Sequence, residues 1–137
     1  MNTGILKCNL DDVRGRMAAA CARAGRPEDD VLLVAVVKTV GAEIVQALAE
    51  MGVTDVGENR VAEAARKQAE LGGTLGLTWH MIGHLQRRKV RDALPLFARI
   101  DSVDSLRLAR EIDKRAAARG DLTVPILLEC NVSGESS

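Results

Sequence analysis

Lys38 closes an apolar run, LLVAVVKTV at residues 32–40, with Thr39 directly after it. Such a run bounded by turn signals reads as a strand buried on both faces, which puts the lysine at its carboxyl end. In parallel α/β proteins that end is where the chemistry is placed. A partly desolvated lysine there spends time as the free amine and could attack a carbonyl carbon to form a Schiff base. The plainer reading is a lysine that has left the strand and points its ammonium at water or a counter-charge. Lys38 alone does not choose between the two.

Other polar residues fall at similar places: Gly57-Glu58-Asn59-Arg60, His80 followed by Gly83-His84, Asp101-Ser102, and Asn131 with Ser133. Asn59 and Ser102 are good turn and capping residues, and each is expected to cap a helix. His80 lies inside an apolar stretch and reads as a hydrogen-bonded core histidine. His80 and His84 are four apart across a strand and a turn, with no HExxH and no carboxylate partner evident, so no metal is expected. The cations Arg87, Arg88, Lys89 and Arg91 read as a solvated helix face rather than a phosphate or RNA site. GxGxxG, GxxxxGK[ST] and GxSxG are all absent, which leaves no phosphate loop and no nucleophile elbow.

These residues need elements to hold them. Residues 10–24 place Leu10, Val13, Met17, Ala20 and Cys21 on one helical face, and Gly25 and Pro27 stop that helix. Strands are expected at 31–37, 53–57, 78–83, 98–102 and 123–132. Helices are expected at 42–52, 60–71, 85–97 (interrupted by Pro95) and 104–120, the last capped by Asp104 and carrying Leu108, Ile112 and Ala116 inward, with a Glu111–Arg115 surface pair. Strands and helices alternating at short period predict parallel strands, right-handed crossovers and helices outside. The strand ends then share one rim, and polar groups collect there. Residues 1–137 read as a single domain. Five strands are too few for a closed (β/α)₈ barrel, which takes about 250 residues. The chain stops at SGESS just after a strand, where a helix is expected to follow, and reads as the N-terminal part of something longer.

Composition narrows the function class. Lys plus Arg and Asp plus Glu number 19 each, so net charge is zero and neither nucleic acid nor a membrane surface is indicated. Trp79 and Phe97 are the aromatic residues and tyrosine is absent, which excludes a base-stacking platform. Cys8, Cys21 and Cys130 are few, odd in number and widely spaced, as expected of a reducing cytoplasm, with Cys21 a core residue. The N-terminus has no apolar run of signal-peptide or membrane-span length.

VAVVKT (34–39), GENRV (57–61), WHMIGHLQRRK (79–89), DSVDSLRLAREI (101–112) and LLECNVSGE (127–135) occur in that order and spacing. Together they resemble the pyridoxal-phosphate homeostasis protein family, single-domain relatives of the alanine racemase N-terminal barrel. The resemblance covers essentially the whole chain, and GENR and WHxIGHLQ carry most of its weight. It implies a fold-type-III (β/α)₈ TIM barrel, present here as about five strands. It also implies that Lys38 forms the internal aldimine, a Schiff base with pyridoxal 5′-phosphate (PLP). Asn59, His80 and Asn131 match family positions on the cofactor side of the rim; Ile82 and Gly83 would sit beside the ring, and Ser102 is a further rim candidate. Val37 stands where the family usually has serine, and Arg88 where asparagine is common. The family's phosphate-binding positions fall beyond the residues matched here.

The implied role is PLP binding and intracellular PLP homeostasis, with PLP-dependent client enzymes as possible partners and no established catalysis. A racemase of this fold type needs a second acid–base group, normally a tyrosine from another domain, and this chain has none. A PLP-dependent racemase or lyase is the alternative enzyme reading. A self-associating half-barrel without cofactor, pairing through open strand edges, is the alternative interaction reading.

Overall fold

The computed structural model describes residues 3–73, 75–120 and 122–134; the final Glu135–Ser137 of the expected closing segment lie outside the described residues. The elements alternate as expected: α1 (Thr3–Ala24), β1 (Val34–Val36), α2 (Ala42–Glu50), β2 (Asp55–Glu58), α3 (Val61–Leu71), β3 (Thr78–Met81), α4 (Val90–Ala93), β4 (Arg99–Val103), α5 (Leu106–Ala117) and β5 (Ile126–Leu128). Short 3-10 turns at Glu28–Asp30 and Arg87–Lys89 precede β1 and α4.

The five strands form one parallel sheet in the order β1-β2-β3-β4-β5. Parallel strands in sequential order, joined by crossovers of one hand, place the crossover helices on one side of the sheet. Register assigns the two faces. Val34 pairs with Asp55, Gly57 with His80, and His80 with Arg99. These residues and Asp101 therefore share the face away from the helices. The alternate residues Val56, Trp79, Met81 and Ile100 face the helices and pack with Val45, Leu48, Ala64, Leu108 and Ile112 in one core.

Local chemistry explains most of the element ends. Gly72 closes α3 in the left-handed conformation at φ 65°, which glycine adopts without steric cost. α5 presents Leu108, Ile112 and Ala116 inward, and Arg115 bonds Glu111 on its surface, both as expected. α1 is tied down by Arg14, whose guanidinium donates to the Met51 and Gly52 carbonyls at the end of α2.

Several expectations are corrected. α1 begins at Thr3 and its buried residues are Leu10 and Cys21, with Val13 and Ala20 exposed. β1 is Val34–Val36 rather than 31–37, and β5 is Ile126–Leu128 rather than 123–132, because both are edge strands with a single pairing neighbour. β3 stops at Met81 rather than at residue 83. The helix expected at 85–97 is a 3-10 turn followed by α4, because buried Leu85 anchors an extended entry and Pro95 blocks the continuation. Ser105, not Asp104, caps α5: its side chain accepts from the Leu108 amide, while Asp104 bonds His84 across the sheet end.

Candidate functional site

The carboxyl ends of β1 to β4 meet through a continuous set of contacts. Lys38 is exposed on the turn that follows β1. Its neighbour Val37 is buried, donates its amide to the Gly57 carbonyl of β2, and accepts the Val40 amide that closes the turn. Lys38 itself has no ion-pair or hydrogen-bond partner among the described residues.

β2 ends in buried Glu58. One of its oxygens accepts the Asn59 amide at 2.7 Å and the Arg60 amide at 3.3 Å. The other takes the Lys67 ammonium at 2.5 Å, and Lys67 also donates to the Val37 carbonyl at 2.6 Å. Asn59 in turn lies against Gly83: a Cβ at Gly83 would come within 2.6 Å of the Asn59 Cβ. The rim therefore requires glycine there, so that the β2 and β3 ends can touch. Ile82 lies over Gly57, where a Cβ would meet its side chain at 3.0 Å. Ser102 donates its hydroxyl to the Gly83 carbonyl at 2.6 Å, which joins the β4 end to β3.

Lys38, Asn59, Ile82, Gly83 and Ser102 are thus neighbours along one rim. Asn59 and Ser102 do not cap helices as expected. Arg60 is the residue preceding α3, and the Ser102 hydroxyl is spent between strands. Asn131 lies past β5, exposed, and its side-chain oxygen accepts the Gly134 amide.

His80 sits deeper, one alternation below Ile82 on the face away from the helices. Contrary to expectation it has carboxylate partners on both sides. Nε2 contacts Asp55 Oδ1 and Nδ1 contacts Asp101 Oδ2, each at 2.8 Å. Arg99 Nε donates to the other oxygen of Asp101 at 3.2 Å, and the Thr54 hydroxyl donates to Asp55. Burial alone would push the Asp55 carboxyl up. Hydrogen bonds from Thr54 and His80, with the charges of His80 and Arg99, outweigh it and hold the group below its ordinary range. His84 similarly pairs with Asp104 at the surface.

From the sequence, Glu58 and Asp101 stand out only as polar groups at strand ends, and Asp55 and Lys67 do not stand out. Lys67 left one legible sign: with Ala64 and Leu71 it falls at i, i+3, i+7 on the inward stripe of α3. The pairing of Asp55 and Asp101 with His80 leaves none, since each partner lies more than twenty residues away and is reached only through strand register.

Away from the rim, a cavity of about 410 Å³ opens at the other end of the strands, lined by Trp79, Leu94, Leu96 and Phe97 among others. Its wall is mainly apolar and holds none of the rim residues. The polar groups able to do chemistry stand on the rim, at the carboxyl ends of the strands. Among the described residues no helix is long and apolar enough to cross a membrane.

No family model matches the chain. Similarity to individual proteins is clear. The pyridoxal phosphate homeostasis protein of Aquifex aeolicus (strain VF5) is 39% identical over 128 residues, covering 93% of this chain and 55% of that protein. PipY of Synechococcus elongatus PCC7942, solved with PLP bound, superposes with a TM-score of 0.73 at 34% identity, over 90% of this chain and 57% of PipY. Alanine racemase of Clostridium difficile 630 gives a TM-score of 0.64 at 18% identity over 84% of this chain and 28% of the racemase, a likeness of fold alone. The chain spans a little over half the length of the curated relative and of PipY.

Proposed function

Since the chain belongs to the pyridoxal phosphate homeostasis protein family along its matched length, we propose that it binds PLP covalently through the Lys38 ε-amine. Its role is then in cofactor supply within the cell, toward PLP-dependent client enzymes, rather than in turnover of an amino acid. The observation that carries this reading is Lys38 itself: an exposed amine at a strand's carboxyl end, without a counter-charge among the described residues. When bound, the cofactor supplies an aldehyde that condenses with a free amine and releases water.

The residues present fit the aldehyde end of such a ligand. Asn59, Ile82, Gly83 and Ser102 line the side of the rim next to Lys38. Ile82 offers an apolar edge for a ring, and Gly83 lets Asn59 close against it. His80 supports this wall from below with both ring nitrogens committed to carboxylates. Asn131, on the segment that follows β5, is a further residue assigned to the cofactor side in this reading. The absence of tyrosine withholds the second acid–base group a racemase would use, which favours carriage over catalysis.

The test is a map of the adduct. The chain is mixed with PLP, reduced with borohydride and digested, and the modified peptides are identified by mass, with Lys38→Ala as control. Saturable labelling concentrated at Lys38 is expected. Labelling spread as readily over Lys7, Lys89 and Lys114 overturns the assignment.

Self-association is a second reading, favoured by the sheet edges. Among the described residues β1 and β5 each have one pairing neighbour; Val36 is 56% exposed and Leu128 70%. Exposed apolar edge strands are templates for another chain. Light scattering across a dilution series decides it: a size that falls on dilution supports pairing, and a constant monomer rejects it.

A further inference from the structure

Lys67 has no part in the binding chemistry described above, yet it is among the most deeply buried side chains of the molecule. It is 1% exposed and its partner Glu58 is fully buried. Burying two charges is costly in solvation, and a well-packed apolar pair would hold α3 on the sheet as well or better. The pair does something an apolar pair cannot. The ammonium of Lys67 holds the Val37 carbonyl, half of the peptide bond that leads into Lys38. The far oxygen of Glu58 holds the Asn59 and Arg60 amides. A single ion pair thus fixes the backbone at two adjacent strand ends, and those ends carry Lys38 and Asn59.

We propose that Lys67 and Glu58 are positioning residues for Lys38, a buried clamp that sets where the Lys38 amine stands on the rim. The proposal rests on the reading of Lys38 as the PLP-bearing lysine. The Val37 carbonyl is the hinge point. It accepts Lys67 from below and the Val40 amide from the turn, so losing the first bond loosens the loop that the second one closes. A charge-assisted bond from an ammonium is stronger than a neutral one and leaves the turn less freedom.

The experiment compares the wild-type chain with the neutral double variant Lys67→Met/Glu58→Gln and with Lys67→Arg. Circular dichroism first establishes that each is folded. Two quantities are then read: hydrogen exchange at the Val40 amide, and the ratio of PLP adduct at Lys38 to that at exposed Lys114 after borohydride reduction. In the double variant, exchange at Val40 is expected to rise about tenfold and the ratio to fall about tenfold, the weight of one charge-assisted bond. Lys67→Arg, which keeps the charge, is expected to lie between. A purely structural pair would lower the melting temperature and leave the ratio unchanged. A folded double variant with wild-type exchange at Val40, or with a wild-type ratio, overturns the proposal. If the double variant fails to fold, Lys67→Arg decides by the same two quantities, because a guanidinium cannot place its donors where the ammonium did. If the wild-type chain itself shows no preference for Lys38, the assignment of Lys38 fails, and Val40 exchange alone then decides the clamp.

Discussion

Two charged clusters occupy opposite faces of the same strands. On the helix side, Glu58 and Lys67 form a closed pair from which solvent is excluded. On the other side, His80 lies between Asp55 and Asp101, with Arg99 beyond. This chain opens progressively: His80 is 1% exposed, Asp101 16% and Arg99 31%. In the closed pair each charge has one counter-charge and no route to water. In the open chain Asp55, His80 and Asp101 each have two partners, and the outermost group, Arg99, reaches solvent. The first is expected to behave as all or nothing, the second to give way by degrees.

The largest effect is expected from unpairing the closed cluster. Lys67→Met leaves the Glu58 carboxylate buried without its cation and should cost about 3–5 kcal/mol in denaturant unfolding, whereas neutralising both partners together should recover most of that. Equal losses in the single and double variants would show that the two charges do not act as a unit. Next is His80→Ala, which strips a bond from both Asp55 and Asp101. Their access to other partners and to water holds the expected cost to about 2–3 kcal/mol. A loss as large as that of Lys67→Met would erase the distinction between the clusters.

Acid unfolding sharpens the comparison further. The Asp55 carboxyl is held below its ordinary range in the folded chain. The unfolded chain therefore takes up its proton first as pH falls. The stability Asp55 contributes is complete above the unfolded value of about 3.9 and is lost as pH falls from there through the lower folded value. Asp55→Asn should cost about 1 kcal/mol at neutral pH and flatten this acid limb. An unchanged slope below pH 4 would place the acid sensitivity elsewhere. The smallest effect belongs to the surface. Arg66 pairs with Glu63 and Glu70 on exposed α3, and Arg66→Ala should leave the unfolding midpoint where it is.

The sequence shows the frame better than it shows these clusters. Short-period alternation is a property of neighbouring residues, so the order of strands and helices, the glycine stop of α3 and the inward stripe of α5 are all legible. Lys38, Asn59, Gly83 and Ser102 could be placed at one rim because strand ends follow from that order. What failed depended on distant partners. Asp104 has the chemistry of a helix cap, but His84 claims it and Ser105 caps instead. His80 reads as lacking a carboxylate, since both of its partners lie on other strands. Apolar composition overstates the length of β1 and β5, because it marks strand-forming residues, whereas strand length is set by the neighbour available to bond.

The sequential strand order has a consequence for how the chain acquires its structure. Each strand pairs with the one immediately before it, so every pairing closes a loop containing only one helix. Loop closure of that size carries a modest entropic cost, and contacts local in sequence form quickly. Among the described strands none waits for a distant segment. During synthesis β2 can dock on β1, and β3 on β2, in the order they leave the ribosome, with the growing edge always the newest strand.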